Sequence, residues 1–338
     1  MIRDAPARWW HLNGSIVECE LCPHRCHLLE HGARGTCGLR YRSEDELRTF
    51  GWGGVATAQL DPIEKQPLYH FLPGSMTFSV GMHGCNLACD PCQNWILSTH
   101  RNGSEMPIRS TPQQIVREAL QYGAASVSFS CNEPLISAEF WIEVAEQTRA
   151  AGLKTVAVTN GYAEPECASE FFSKMDAANV GLKGFSERFY REICQGRLGP
   201  VLHNLKRIRN LETCHLELTL LLIPSKNDEE QDLCAMSRWI RDQLGSETPL
   251  HLTAFHPDHK AIDWPPARLD HLHRACEIAA GEGLQNVYFG SVFSPLLSST
   301  LCTACRTTLV EREGFQVRRN RITQSACPVC THGVHGVF

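Results

Sequence analysis

Cys85, Cys89 and Cys92 lie in the stretch GCNLACDPCQ, separated by three and then two residues. Thiolates are the natural ligands of iron–sulfur clusters. Three of them on a cubic [4Fe–4S] cluster leave one iron without a protein ligand, open to a substrate or cofactor, much as catalytic zinc sites keep one position open. The competing reading is a structural zinc whose fourth ligand comes from elsewhere, with His83 and His100 as candidates. The motif directly follows a strand-like segment, the usual place for chemistry in a barrel of parallel strands, and this favours the cluster.

Two further groups bring eleven of the seventeen cysteines into clusters. Cys302, Cys305, Cys327 and Cys330 form two C-x-x-C knuckles around a hairpin-like stretch, LVEREGFQVRRNRI, and predict a four-cysteine zinc ribbon. With few large apolar residues there, the metal is expected to supply much of the module's folding free energy. Arg318, Arg319 and Arg321 read as a solvated strand face rather than a nucleic-acid contact. Cys19, Cys22, Cys26 and Cys37 suit either structural zinc or a fully ligated accessory iron–sulfur cluster, and spacing does not choose. Structural zinc is the reading narrowly adopted, with His24, His27 and His31 as bystanders. A second cluster there would instead relay electrons or ligate substrate. The single cysteines (Cys131, Cys167, Cys194, Cys214, Cys234 and Cys276) are expected to pack as small apolar residues.

These groups need a scaffold. At 338 residues the chain predicts one large domain with appendages, or two domains. A formal charge of −5 gives no general affinity for nucleic acid. The first residues, MIRDAPARWWHL, lack a signal-peptide core, and no stretch approaches a membrane span. A cytoplasmic location follows as an expectation, and reduced thiols in close clusters then read as metal sites. Strand signals recur at 76–84, 126–131, 154–159, 179–184, 215–223, 249–255 and 286–290, with helical runs between them. Thr111-Pro112-Gln113-Gln114 gives a capping box, Gly123 a stop, and Phe140, Trp141, Val144 and Ala145 an apolar helix face. Alternating units of this kind predict an α/β fold, a partial (β/α)6 barrel of the TIM type. The expected division is a Cys-rich segment at 1–70, the barrel at 71–295 and the zinc-ribbon-like module at 296–338. No G-x-G-x-x-G follows a strand, which leaves a dinucleotide-binding reading without support.

CNLACDPC resembles the cluster motif of the radical SAM enzymes, whose open iron is chelated by the amino and carboxylate groups of S-adenosylmethionine (SAM). The resemblance implies one-electron reduction, cleavage of the sulfonium and a 5′-deoxyadenosyl radical that takes a hydrogen atom from substrate, with the protein orienting and secluding the reactants. It also implies SAM contacts. Asn132 and Glu133, in Asn132-Glu133-Pro134, are similar to the family's GGEP-type motif, and Thr159 and Asn160 to its TNG segment. Lys183 stands where the DLK lysine does, and His256 matches a histidine near the adenosyl group of the activating enzymes.

CPHRCHLLEHGARGTCGLR, DPIEKQPLYHFLPGS, AFHPDHKAIDWPP and the terminal CPVC…GVF together resemble the radical SAM member of the AmmeMemoRadiSam system, a group related to pyruvate formate-lyase activating enzyme. This implies an external electron donor of the flavodoxin or ferredoxin type. It also implies a protein, peptide or small substrate, with AmmeMemoRadiSam partners or a glycyl-radical enzyme as candidate partners. The chain departs from the family in three places. Pro91 replaces an aromatic residue before the third cysteine, Gly181 replaces the Asp of DLK, and Val158 replaces the Asp of DTNG. Those two aspartates help hold a monovalent cation beside SAM in the activating enzymes, so no such cation is expected here.

Overall fold

The structure, a computed structural model, describes residues 4–99, 108–290 and 298–338. One eight-stranded sheet organises it. An edge strand, β1 (Thr57–Pro62), lies antiparallel to β2 (Met76–Gly81). Beyond β2 come β3 (Ser126–Phe129), β4 (Lys154–Thr159), β5 (Ala177–Gly181), β6 (His215–Leu222), β7 (Leu250–Ala254) and β8 (Val287–Gly290), all parallel and adjacent in chain order. Among the described residues, six helices of nine residues or more lie in the connections: α1 (Pro112–Gln121), α2 (Ala138–Ala150), α3 (Pro165–Ser173), α4 (Leu198–Arg209), α5 (Glu230–Leu244) and α6 (Leu269–Gly281). The expected capping box is present at α1: Thr111 Oγ1 accepts from Gln114 N, and Gln114 Oε1 accepts from Thr111 N.

Strand register explains the shape. Phe78, Val80, Val127, Phe129, Val180, Leu216, Leu218, Leu220 and Leu252 are buried on the helix side of the sheet. The other face carries Ser79, Ser128, Asn179, Gly181, Glu217, Thr219, His251 and Tyr288 in aligned pairs. A sheet of parallel strands normally hides apolar groups on both faces. This one turns many small and polar groups inward and leaves a hollow, filled in part where Val156 and Ala177 pack against Ile63, Leu68 and Phe71.

The segment that joins β1 to β2 runs through that hollow. Gln66 Nε2 donates to Ser79 Oγ (2.8 Å), Asn179 Nδ2 to Pro67 O (2.8 Å), and Tyr69 N to Glu217 Oε2 (3.0 Å). The Tyr69 ring meets His251 and Tyr288 at centroid distances of 4.6 and 5.0 Å. One short segment thus touches the inner faces of β2, β5, β6, β7 and β8, so the sheet curls around it. Among the described residues no strand links β1 to β8, and the barrel is partial. Its sheet already begins at Thr57, inside the segment that sequence reasoning assigned to the N-terminal appendage.

The appendages pack against this body. Two small three-stranded sheets lie within residues 5–49. At the other end, Arg312 of the C-terminal hairpin (Thr308–Glu313 with Gln316–Asn320) is wholly buried. It pairs with Glu64 at 3.4 Å, donates to Tyr69 O at 2.7 Å, and lies 4.2 Å from the centre of the Tyr69 ring. Val337 N donates to His70 O and Leu72 N to Val337 O, both at 2.7 Å. The C-terminal module is thereby fastened to the same segment that plugs the barrel.

Candidate functional site

At the C-terminal ends of the strands the hollow opens as a cavity of about 220 Å³, lined by Cys85, Cys89, Cys92, Asn132, Glu133, Thr159, Asn160 and Lys183. Eight of the nine residues assigned to the cluster and to SAM therefore share one wall. Their spacing around it comes from four successive strand ends, those of β2, β3, β4 and β5.

The cysteine loop is held by side-chain amides. Asn132 Oδ1 accepts from Met82 N (2.9 Å), and its Nδ2 donates to His83 O and Gly84 O (3.2 Å each). Asn86, nearly fully buried, donates to Tyr162 O (2.6 Å), and its Oδ1 accepts from Asn160 Nδ2 (2.9 Å). Asn160 Nδ2 also lies 3.7 Å from Cys85 Sγ, and Leu87 N donates to the same sulfur at 3.4 Å. Ser98 Oγ stands 3.2 Å from Cys92 Sγ. Hydrogen bonds to sulfur are among the features that set a cluster's potential.

Burial pushes the Cys85 thiol well above its usual range, with Glu133 adding to the shift. The Cys89 thiol is raised by the neighbouring Cys194 thiol and by burial. A bound cation is what would favour the thiolate form here. Among the described residues, three or more ligand atoms lie within 4.8 Å of one another at Cys302, Cys305, Cys327 and Cys330. The Cys85 trio is held wider than this, with or without His83. A single zinc ion needs such a tight set, because Zn–S bonds of about 2.3 Å place tetrahedral sulfurs about 3.8 Å apart. Three spread thiols on the wall of one cavity fit a cubane, whose thiolates bind different irons. The other candidate fourth ligand, His100, lies outside the described residues.

Glu133, on the cavity wall as its motif suggests, also serves as a brace. Its buried carboxylate accepts from Leu135 N (2.9 Å) and Thr159 Oγ1 (2.6 Å) on Oε1, and from Asn160 N (2.7 Å) on Oε2. It braces the β3 and β4 ends together. Burial raises its pKa above the usual carboxylate value, against the lowering effect of the Asn160, Thr159 and Leu135 donors. The Asn132 side chain is likewise spent on the cysteine loop. His256 is exposed on the rim and bonds Gln93 Nε2 (2.8 Å), outside the cavity wall.

At Gly181 a Cβ would stand 2.5 Å from Lys183 Nζ, the mobile end of a side chain that can turn away, so nothing in the structure explains the loss of the aspartate there. Cys131, expected in the core, instead lines the cavity with a left-handed backbone (φ 70°), a strain typical of functional sites. Cys167, Cys194 and Cys214 are buried as expected, while Cys234 and Cys276 are half-buried. Sequence reasoning missed Asn86, whose only signal was its place beside Cys85. Asn179 and Thr219 were missed too, being ordinary strand residues until register turns them inward.

In the C-terminal module the four sulfurs converge, with Cys302 to Cys330 at 3.5 Å and Cys305 to Cys327 at 3.7 Å. The Thr307 hydroxyl and amide pull the Cys305 thiol down to about 6. A tetrahedral thiolate site suits zinc.

A family model described as the radical SAM superfamily matches residues 79–236. An uncharacterized protein of Methanocaldococcus jannaschii is 36% identical over 322 residues, covering 94% of this chain and 95% of its own. The pyruvate formate-lyase-activating enzyme of Listeria monocytogenes is 26% identical over 184 residues, 50% of this chain and 71% of its own. Among solved structures, SuiB of Streptococcus suis aligns with a TM-score of 0.50 and 14% identity, over 68% of this chain and 52% of that one. A radical SAM methyltransferase of Sphaerobacter thermophilus also gives 0.50, at 14% identity, over 66% and 68%. At such identities these two likenesses show the fold.

Proposed function

We propose that this chain, which belongs to the radical SAM superfamily, holds a [4Fe–4S] cluster on Cys85, Cys89 and Cys92 and cleaves SAM reductively. The observation that carries the reading is the gathering of the three thiols and the ends of β2–β5 around one cavity, with Asn132, Glu133, Thr159, Asn160 and Lys183 on its wall. When bound, the cluster and SAM supply a 5′-deoxyadenosyl radical that abstracts hydrogen from a protein, peptide or small substrate. The chain's own residues place and shield that chemistry. Asn132, Asn86 and Asn160 fix the cysteine loop, and Glu133 fixes the Thr159–Asn160 turn. SAM would meet the Glu133, Thr159, Asn160 and Lys183 wall, with the backbone beside Asn132 facing it. His256 would reach it only from the rim. Trp95 Nε1 donates to Asp258 Oδ1 (3.0 Å), so the loop after β7 is latched to the cysteine loop across the mouth.

The reaction needs one electron from an external donor of the flavodoxin or ferredoxin type. Zinc at Cys302, Cys305, Cys327 and Cys330 would hold the C-terminal module in place. Likeness to the Listeria activating enzyme favours a second reading within the same class, transfer of the radical to a glycine of a partner protein. Anaerobically reconstituted protein given SAM and dithionite should release 5′-deoxyadenosine. Its absence, with iron loaded, would overturn the reading.

A further inference from the structure

We infer that Cys19, Cys22, Cys26 and Cys37 hold a second [4Fe–4S] cluster that passes the reducing electron to the site at Cys85, Cys89 and Cys92. The inference rests on the function proposed above and replaces the zinc expected there from sequence.

Thiolate spread is the first observation. The C-terminal four draw within 4.8 Å of one another, whereas no three of the N-terminal four do so among the described residues. The same fold thus holds one set at the compass of a single zinc and the other wider, like the Cys85 trio. The N-terminal four are still neighbours, since Cys19, Cys26 and Cys37 all act electrostatically on Cys22. Four neighbouring thiols held wider than the C-terminal set suit a cubane, which takes each at a separate corner.

The surroundings favour electron uptake. Cys19, Cys22 and Cys37 are buried, and Thr36 N donates to Cys26 Sγ at 3.3 Å. The Arg40 guanidinium, 1% exposed, acts on both Cys19 and Cys37, keeps a buried Nε with no hydrogen-bond partner, and is ion-paired through Nη1 with the buried Glu139 at 2.7 Å. A guanidinium beside a cluster favours its more negative, reduced state, here offset in part by the Glu139 carboxylate.

Position supplies the route. His24, two residues beyond Cys22, bonds Asn86 O through Nε2 at 2.6 Å, and Asn86 adjoins Cys85. The Cys37 carbonyl presses on the other flank, 3.1 Å from where a Gly84 Cβ would stand. The two cysteine sites are therefore back to back. Cys26 is half-exposed, with Arg25, His27 and Leu29 exposed around it, so the outer side offers the donor an approach. The step is a one-electron relay. A flavodoxin- or ferredoxin-type donor is oxidised by one electron and the N-terminal cluster goes from the 2+ to the 1+ state. It returns to 2+ as the inner site is reduced, with no proton moved.

The test uses two full-length variants reconstituted anaerobically. With Cys85, Cys89 and Cys92 all changed to Ala, about four irons, about one zinc and a reduced-cluster electron paramagnetic resonance (EPR) signal should remain. About two zincs and no iron would overturn the cluster. If instead this variant kept all the iron of the wild type, the reading of the Cys85 site would fail and not the present one. In Cys19→Ser with Cys22→Ser, iron should fall from about eight to about four per chain. The ratio of flavodoxin-driven to dithionite-driven 5′-deoxyadenosine formation should fall at least tenfold. An unchanged ratio would overturn the relay. Should this variant not fold, the iron and zinc count of the triple variant still decides the cluster.

Discussion

Replacing Glu133 with Gln should loosen the SAM wall and lower stability together. The carboxylate offers two acceptor oxygens to three donors, Leu135 N, Thr159 Oγ1 and Asn160 N. Glutamine keeps one acceptor and gains an NH2 group. With its oxygen toward Leu135 and Thr159, the NH2 faces Asn160 N–H. In the opposite orientation it faces two donors. The better orientation leaves at least one buried donor unsatisfied, at about 1–3 kcal/mol. For a chain of this size each kcal/mol shifts the melting temperature by about 2–4 °C, so a drop of about 2–12 °C is expected. Glu133→Ala, which orphans all three donors, should fall further. Anaerobic thermal unfolding with and without SAM measures both effects, and the SAM-induced rise in Tm should shrink as well. If Glu133→Gln melts with the wild type while losing the SAM-induced shift, the bracing argument is wrong and the carboxylate acts on the ligand alone.

Glu217 should govern acid stability. Burial would raise its pKa, but hydrogen bonds from His215 (3.0 Å) and His251 (2.6 Å) win and hold it well below the usual carboxylate range. A depressed folded pKa contributes stability above about pH 4.5 that is lost as pH falls through the folded value. Glu217→Gln should therefore flatten the decline of unfolding free energy below pH 4.5, besides costing about 3–5 kcal/mol at pH 7. Parallel slopes for variant and wild type in urea titrations would refute this. Removing the zinc proposed for the C-terminal module should unfold its hairpin and free the Arg312–Glu64 contact. Chelation, or Cys305→Ala with Cys327→Ala, should raise amide exchange both in residues 300–320 and in the Tyr69–Leu72 plug. Exchange confined to the module would contradict the fastening.

The parallel strands were legible because their signals recur at regular spacing with capped helices between them. That Cys85, Cys89 and Cys92 meet at one cavity was legible because they are close in sequence and follow a strand end. What stayed hidden depends on contacts across long sequence separations. Glu133 reads as a ligand contact until Thr159 and Asn160, 26 and 27 residues on, are seen to donate to it. His256 follows a strand, as its motif requires, yet side-chain direction puts it on the rim with Gln93. The inward polar face is spread over six strands, each carrying only one to three of its residues. Its Glu217 network needs the plug, which leads from an edge strand that looked like part of the N-terminal loops.

Coordination of SAM by the open iron is the central claim, and EPR of the dithionite-reduced protein tests it most directly. Adding SAM should change the g values of the signal that requires Cys85, Cys89 and Cys92, while any signal from the N-terminal cysteines stays unaltered. A reduced spectrum that is the same with and without saturating SAM would contradict the account.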